Sequence, residues 1–281
     1  MHPGVGVATL AMMVRVQVLG PLKVQDGGRS IVPTAGKPRQ VLALLALYRD
    51  RMVPTGLLME ELWGNTLPRS AQATLQTYIL QLRRTITAGR VDPQHPAGHT
   101  LVTGRGGYLL KGDPEPSDLD EFTEQAAAGA AAMDAHDPRA ASARYARALG
   151  LWRGPALADV PMGRVLGPEV LGLEESHSHV LSRRIGADLQ LGRHVQLVGE
   201  LRTLVADRPL DEGLCAQYMV ALHRDGRSGW ALDAFRLLRR RLLDALGTEP
   251  SPRLQRLHDA VLTDDPRLQP RGPTGDPDWT G

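Results

Sequence analysis

The stretch Ser70–Ile86, SAQATLQTYILQLRRTI, decides how the N-terminal part of the chain is read. Stepping roughly 100° per residue from Leu75 brings Ala71, Leu75, Tyr78, Ile79, Leu82 and Ile86 into one arc, the width of a helix face that packs into a core. The opposite side collects Arg69, Ser70, Ala73, Thr77, Leu80, Gln81 and Arg84, with Gln76 and Arg83 at its flank, and it contains no carboxylate. A solvated surface helix ordinarily mixes both signs of charge. A face that meets a phosphate backbone excludes acids and offers short side chains, amides, hydroxyls and arginines. Leu80 is the awkward member: pointing away from the core arc, it either meets a thymine methyl or packs on a neighbouring subunit.

Upstream, VRVQVL from Val14 to Leu19 alternates as a half-buried strand does, and PLKVQDGGRSIVP continues as an antiparallel meander with a tight turn at Asp26-Gly27-Gly28. KPRQVLALLALYRD places Val41, Leu44, Leu45 and Tyr48 at helical spacing behind Pro38, a first-turn residue. A second helix follows over Thr55–Trp63 and stops at Gly64. Downstream of the opening stretch, TAGRVDPQHPAG is a polar connection, and HTLVTGRGGYLLKG reads as two strands, Thr100–Thr103 and Tyr108–Leu110, around a Gly-rich turn. Sheet, three helices and a terminal hairpin make an α+β winged helix-turn-helix. Arg105 then occupies the tip of the wing, where an arginine enters a narrow minor groove or holds a phosphate unless it is incidental to the turn.

Charge supports this division. Positions 1–112 hold 13 Lys and Arg against 5 Asp and Glu, a net of +8, whereas positions 113–281 have 20 against 26, a net of −6. Such a split points to a polyanion as partner of the N-terminal part. The basic residues are nearly all Arg, with Lys23, Lys37 and Lys111 the lysines, a bias that fits a GC-rich genome.

After GDPEPSD, a linker over residues 112–118, the pattern is helix after helix from Leu119 to Leu262. A repeat of about 34 residues, the tetratricopeptide length, runs through it. Gly192-Arg193 recurs as Gly226-Arg227, Leu197 as Ala231, Leu201 as Phe235 and Leu204 as Leu238. Pro209 closes the first copy as a tetratricopeptide repeat would. An earlier copy at Ala141, Tyr145 and Ala148 lies too far ahead of the next to keep this period, so an insertion interrupts the array. Stacked helix pairs of this kind bury one continuous core. The expectation is an all-α, tetratricopeptide-like helical repeat domain over residues 119–264, with a flexible leader over 1–13 and a disordered tail over 265–281. Met12 and Met13 are alternative starts to Met1.

Other chemistry finds little footing. The single cysteine, Cys215, gives neither a disulfide framework nor a metal knuckle, and a buried thiol is its ordinary reading. His177 and His179 lie on different faces of a helix, so no metal site is expected. Glu60-Glu61 and Glu174-Glu175 read as solvated faces or inter-domain contacts, not catalytic dyads. No catalytic or dinucleotide motif occurs, so neither an enzyme nor a cofactor is expected. No apolar run approaches a membrane span of about 18 residues; a cytoplasmic, nucleoid-associated protein is the default.

The motifs LGPLKV, KPRQVLALLAL, LMEELWG, LQTYILQLRR and GRGGYLL resemble the OmpR-type winged helix of the Streptomyces antibiotic regulatory proteins. ALGLWRGPALADV, LEESHSHVLSRRIGADLQLGRH and ALGTEPSPRLQRLHDAVL resemble the bacterial transcriptional activation domain that follows it there. Together they cover about residues 13–265, most similar to the short regulators of anthracycline-type clusters. The resemblance implies a pathway-specific activator that binds tandem direct repeats of double-stranded promoter DNA near the −35 region and recruits RNA polymerase holoenzyme through its sigma subunit. It implies base reading by Ala73, Thr77 and Gln81, with Arg83 and Arg84 towards phosphate; the wheel and the wing turn add Arg69, Ser70, Gln76 and Arg105 as phosphate or groove contacts. It also implies a polymerase-contacting loop at Asn65, Thr66, Leu67 and Pro68, ending at Arg69. A homodimer on tandem sites about one helical turn apart completes the expectation. No receiver domain fits before Val14 and no GxxxxGK[ST] loop occurs, so neither aspartyl phosphorylation nor ATP control is expected. The alternative is a tetratricopeptide-type interaction scaffold whose winged helix does not read DNA.

Overall fold

The computed structural model describes residues 14–26, 28–88, 100–112 and 114–269. The expected leader, the connection at 89–99 and the tail beyond Gln269 lie outside them. The chain forms two compact units: residues 1–124 with 150–176, and residues 125–149 with 177–281. These units cut the chain elsewhere than at the 112–118 linker.

In the first unit β1 (Val14–Gln17) pairs antiparallel with β2 (Lys23–Asp26), Val16 opposite Val24, and β2 pairs with β3 (Arg29–Ser30). Helix α1 (Gly36–Leu47) follows, with Pro38 in its first turn as the sequence predicts. Its residues Val41 to Leu45 are at most 1% exposed, so α1 is the centre of this core rather than an amphipathic cover. Next comes β4 (Val53–Pro54), a strand without a sequence signal of its own. Helix α2 (Thr55–Trp63) and helix α3 (Ala71–Thr87) are followed by β5 (Leu101–Gly104) and β6 (Gly107–Leu110). The second sheet has the order β4-β6-β5, so β4 anchors the hairpin that forms the wing. α3 buries Ala71, Leu75, Ile79, Leu82 and Ile86, while Tyr78 stays half-buried.

The linker ends in structure. Ser117 and Asp118 are buried, and Asp118 opens helix α4 (Asp118–Asp134). The Asp118 carboxylate accepts hydrogen bonds from the backbone N–H of Val18 and Leu19, both at 2.9 Å. Burial pushes its pKa above the usual carboxylate range, against the two amides and Arg153, which pull it down.

The insertion expected between repeat copies is a segment of the first unit. Between helix α5 (Pro138–Gly150) and helix α6 (Leu166–Gln190), residues 151–165 run as a strap along the winged helix. Arg153 N–H donates to the Leu19 carbonyl and Leu157 N–H to that of Val18. The Asp159 carboxylate accepts from Leu22 N–H at 2.7 Å, and Arg39 donates to the Asp159 backbone carbonyl at 2.8 Å. Phe122 packs edge-on against Trp152.

In the second unit α7 (His194–Asp207) and α9 (Ser228–Leu246) hold equivalent places in the repeat, with α8 (Glu212–Arg224) between them and α10 (Pro252–Leu262) closing the array. The repeat has a backbone cause. Gly192 and Gly226 have φ of 72° and 73°, and Arg193 and Arg227 donate N–H to the carbonyls of Asp188 and Leu222 in the preceding helices. This is the Schellman ending, which demands a left-handed residue and turns each helix at the same phase. Leu197, Leu201, Ala231, Phe235 and Leu238 meet in one core cluster, with Leu204 packed against it. At the expected disordered tail, Asp265 caps a 3-10 turn, Pro266–Leu268, and Leu268 is 1% exposed in that core. Order thus extends to Gln269, because an apolar side chain beyond the last helix still finds the cluster.

Cys215 is fully buried in α8, and burial first, then Glu212 and Asp211, pushes its thiol up to about 12. The thiolate is the nucleophile, so native protein is expected to resist iodoacetamide at pH 8 and to be alkylated once urea unfolds it. Mass spectrometry checks this; rapid modification of the native chain would contradict the packing.

Candidate nucleic-acid interface

The outward face of α3 is built by its own periodicity. With Leu75, Ile79 and Leu82 committed to the core, Gln72, Ala73, Gln76, Thr77, Leu80, Gln81 and Arg84 are exposed. Ser70 precedes the helix with φ −89° and ψ 6° and makes no side-chain cap bond, so its hydroxyl is not committed to the helix end. Thr77 Oγ1 donates back to the Ala73 carbonyl at 3.0 Å, which fixes its rotamer and turns the methyl group and the remaining lone pair outward. Arg84 has no protein partner among the described residues. Leu80 is 48% exposed, in keeping with its position opposite the core arc.

Arg83 behaves differently. Its Nε and Nη2 donate to the Leu101 carbonyl at 3.1 and 2.8 Å, and Nη2 also reaches Thr103 Oγ1 at 2.7 Å. The guanidinium therefore ties α3 to wing strand β5, which leaves Nη1 as the nitrogen without a bond among the described residues. Its flank position on the helix, one residue past Leu82, is what lets it reach the sheet.

The wing turn is Arg105-Gly106. Gly104 pairs with Gly107 across the hairpin, Gly106 has φ +75°, and Arg105 is exposed at the tip. The tip is held from α2: Thr55 donates both its N–H (2.8 Å) and its hydroxyl (3.0 Å) to the Gly106 carbonyl. Arg29 adds a tie between the first sheet and the C-terminal end of α3, donating to the Ala88 carbonyl at 2.9 Å. Helix α3 and the wing are thus fixed to one scaffold by bonds directed at backbone carbonyls.

The loop between α2 and α3, Asn65, Thr66, Leu67, Pro68 and Arg69, is exposed throughout, and Leu67 is 55% exposed. Gly64 ends α2 at φ +58°. Asn65 Oδ1 accepts from Arg164 of the strap, so this loop is supported by a segment distant in sequence.

The strap also explains Glu61, which the sequence reads as solvated or inter-domain. It is 3% exposed. Oε1 accepts from Gly163 N–H (2.7 Å) and Gln40 Nε2 (3.2 Å); Oε2 accepts from the N–H groups of Val165 and Leu166, both at 2.9 Å. Leu166 begins α6, so Glu61 satisfies the open donors of that helix start from another element. Glu174 similarly accepts from Ala156 N–H at 2.7 Å. Sequence spacing contained the signal: Glu61 and Leu62 follow Leu58 at i+3 and i+4, so Glu61 belongs on the buried side of α2.

Among the described residues no group of three or more His, Cys, Asp or Glu gathers as a metal site would, and no helix is long and apolar enough to cross a membrane. What the exposed surface of the first unit offers is an acid-free helix with arginines at its ends.

Known proteins match this arrangement. Residues 28–110 match the family "Transcriptional regulatory protein, C terminal", and residues 117–262 match "Bacterial transcriptional activator domain". The chain is 49% identical to Regulatory protein DnrI of Streptomyces peucetius over 92% of this chain and 96% of that one. It is 37% identical to Transcriptional regulator RedD of Streptomyces coelicolor over 91% and 72%. A solved structure of Mycobacterium tuberculosis EmbR, in complex with a low affinity phosphopeptide, superposes with a TM-score of 0.81 at 29% identity, covering 93% of this chain and 67% of that one. A winged helix-turn-helix followed by a helical activator domain, with these relatives, identifies the chain: it belongs to the Streptomyces antibiotic regulatory protein family and is a transcriptional activator of that type.

Proposed function

We propose that the chain activates the genes of an antibiotic cluster of the anthracycline type by binding tandem direct repeats near the −35 region and recruiting RNA polymerase through its sigma subunit. The observation that carries this reading is the exposed, acid-free face of α3 beside an arginine-tipped wing, in a part of the chain with net charge +8. Two copies bind as a homodimer on adjacent repeats, each placing α3 in a major groove on one face of the duplex. Ala73, Thr77 and Gln81 read bases. Arg69, Ser70, Gln76, Arg84 and Arg105 contact phosphate or groove, with Arg83 able to offer only Nη1. Asn65, Thr66, Leu67 and Pro68 face the polymerase.

The test is a titration of the full chain against its own cluster's promoter fragments at several salt concentrations. Arg84→Ala and Arg105→Ala are expected to weaken binding to every sequence and to flatten the logarithmic salt slope by about 0.9 per lost phosphate contact. Gln81→Ala and Thr77→Val should leave the slope alone and change the preferred sequence, each good base contact being worth about 1–3 kcal/mol of discrimination. Four variants that bind like the parent at all salts would remove α3 and the wing as the reading surface. A parent that binds no promoter fragment would favour the interaction-scaffold alternative.

A further inference from the structure

We propose that the second unit carries a binding site for a small organic ammonium ion, in a cavity between α8 and α10. The cavity measures about 200 Å³. At about 30 Å³ per water it holds roughly six or seven waters or one small organic molecule, and it is too small for the drug-sized ligands that occupy pockets of about 300–1,000 Å³.

Its walls select the charge of the occupant. Ala216, Leu254 and Leu257 supply apolar surface on one side. Gln217, 2% exposed, also lines it and uses its Nε2 on Ser182, donating to the backbone carbonyl at 2.8 Å and to Oγ at 3.2 Å. Because one acceptor is a carbonyl, the amide cannot be turned over, and the atom left buried without a partner is Oε1. That oxygen is closed off on all sides, so the acceptor the cavity itself offers is Glu212. Glu212 gives one carboxylate oxygen to Ser251 N–H at 2.8 Å and has no further bond among the described residues. Arg253 also lines the cavity but is already engaged. The hydrogen-bonding capacity left open on Glu212 is acceptor capacity on a carboxylate. An ammonium group with three donors and a short branched apolar tail answers both Glu212 and the apolar wall.

The experiment follows the Leu254 and Leu257 methyl signals of the full chain by NMR during titration with 3-methylbutylammonium. The anionic and neutral controls are 3-methylbutanoate and 3-methylbutanol. Saturable shifts with the ammonium alone are expected. Glu212→Gln keeps an acceptor for Ser251 while removing the charge, and should weaken binding at least tenfold. Ala216→Leu, which fills the cavity from a half-buried position, should abolish it. Equal response to ammonium and carboxylate, an unchanged affinity in Glu212→Gln, or no saturable shift at all, as for a cavity holding water only, would each overturn the proposal. The readout needs no DNA, so it stands or fails apart from the transcriptional reading.

Discussion

Glu61→Ala is expected to destabilise the protein by about 3–5 kcal/mol, more than any surface substitution on the α3 face. The reason lies in what the change leaves behind. Three backbone N–H groups, those of Gly163, Val165 and Leu166, lose their acceptor together with Gln40 Nε2. Two of the amides belong to the start of α6, where open donors and the positive end of the helix dipole both favour a carboxylate. The contact is close: a Cβ at Gly163 would lie 2.2 Å from the Glu61 carbonyl oxygen and 2.6 Å from Oε1. Glu61→Gln keeps one acceptor but turns an NH2 group towards donors, so it should recover only part of the loss. Urea unfolding of the full chain measures the stabilities. Limited trypsin digestion reads the mechanism, since a released strap exposes Arg153 and Arg164 to cleavage before global unfolding. An alanine variant with the parent's urea midpoint would show that the strap is not held this way.

Most of the winged helix was legible because periodicity encodes it. The bounds of α2 coincide with the stretch Thr55–Trp63, and α3 keeps its core and outer faces where the wheel puts them. The helical repeat was legible for a related reason, since Gly192 and Gly226 are the left-handed residues that a Schellman ending requires. What escaped depends on partners distant in sequence. β4 is two residues long and exists because β6 pairs with it, so Val53-Pro54 shows no alternation of its own. The strap residues LWRGPALADV look like a break between helices; their bonds go to the backbone of Val18, Leu19 and Leu22, near the opposite end of the first unit's sequence, and such pairing leaves no local pattern. Charge and position assign Arg83 to phosphate, and its bond to the Leu101 carbonyl becomes visible only with the wing in place. The base-reading and polymerase-facing assignments rest on exposure and resemblance together, which is why they are tested by binding and not by stability.

The wing gives the second large effect. Gly107→Ala is expected to cost about 3 kcal/mol and to weaken binding to all DNA sequences, whereas Gly106→Ala should cost about 1 kcal/mol. At Gly107 the obstacle is backbone: an added Cβ would lie 2.3 Å from the Val53 carbonyl oxygen and 3.2 Å from the Pro54 Cα. Neither atom can rotate away, so β4 and β6 must separate, and their pairing consists of Val53 with Tyr108 and Pro54 with Gly107. At Gly106 there is open space but a φ of +75°, so the cost is the strain of a left-handed alanine. Gly104→Ala makes the control, because its Cβ would meet the Met52 Cε, the free end of a flexible side chain. Separation of β4 from β6 also breaks the hold of Thr55 on the Gly106 carbonyl, and Arg105 then no longer has a fixed position beside α3. Urea unfolding should rank the losses as Gly107 above Gly106 above Gly104, and the DNA titration should follow the same order. A Gly107→Ala variant as stable as Gly104→Ala, or one that lost stability and kept full affinity, would mean that the anchored wing does not place Arg105 for binding.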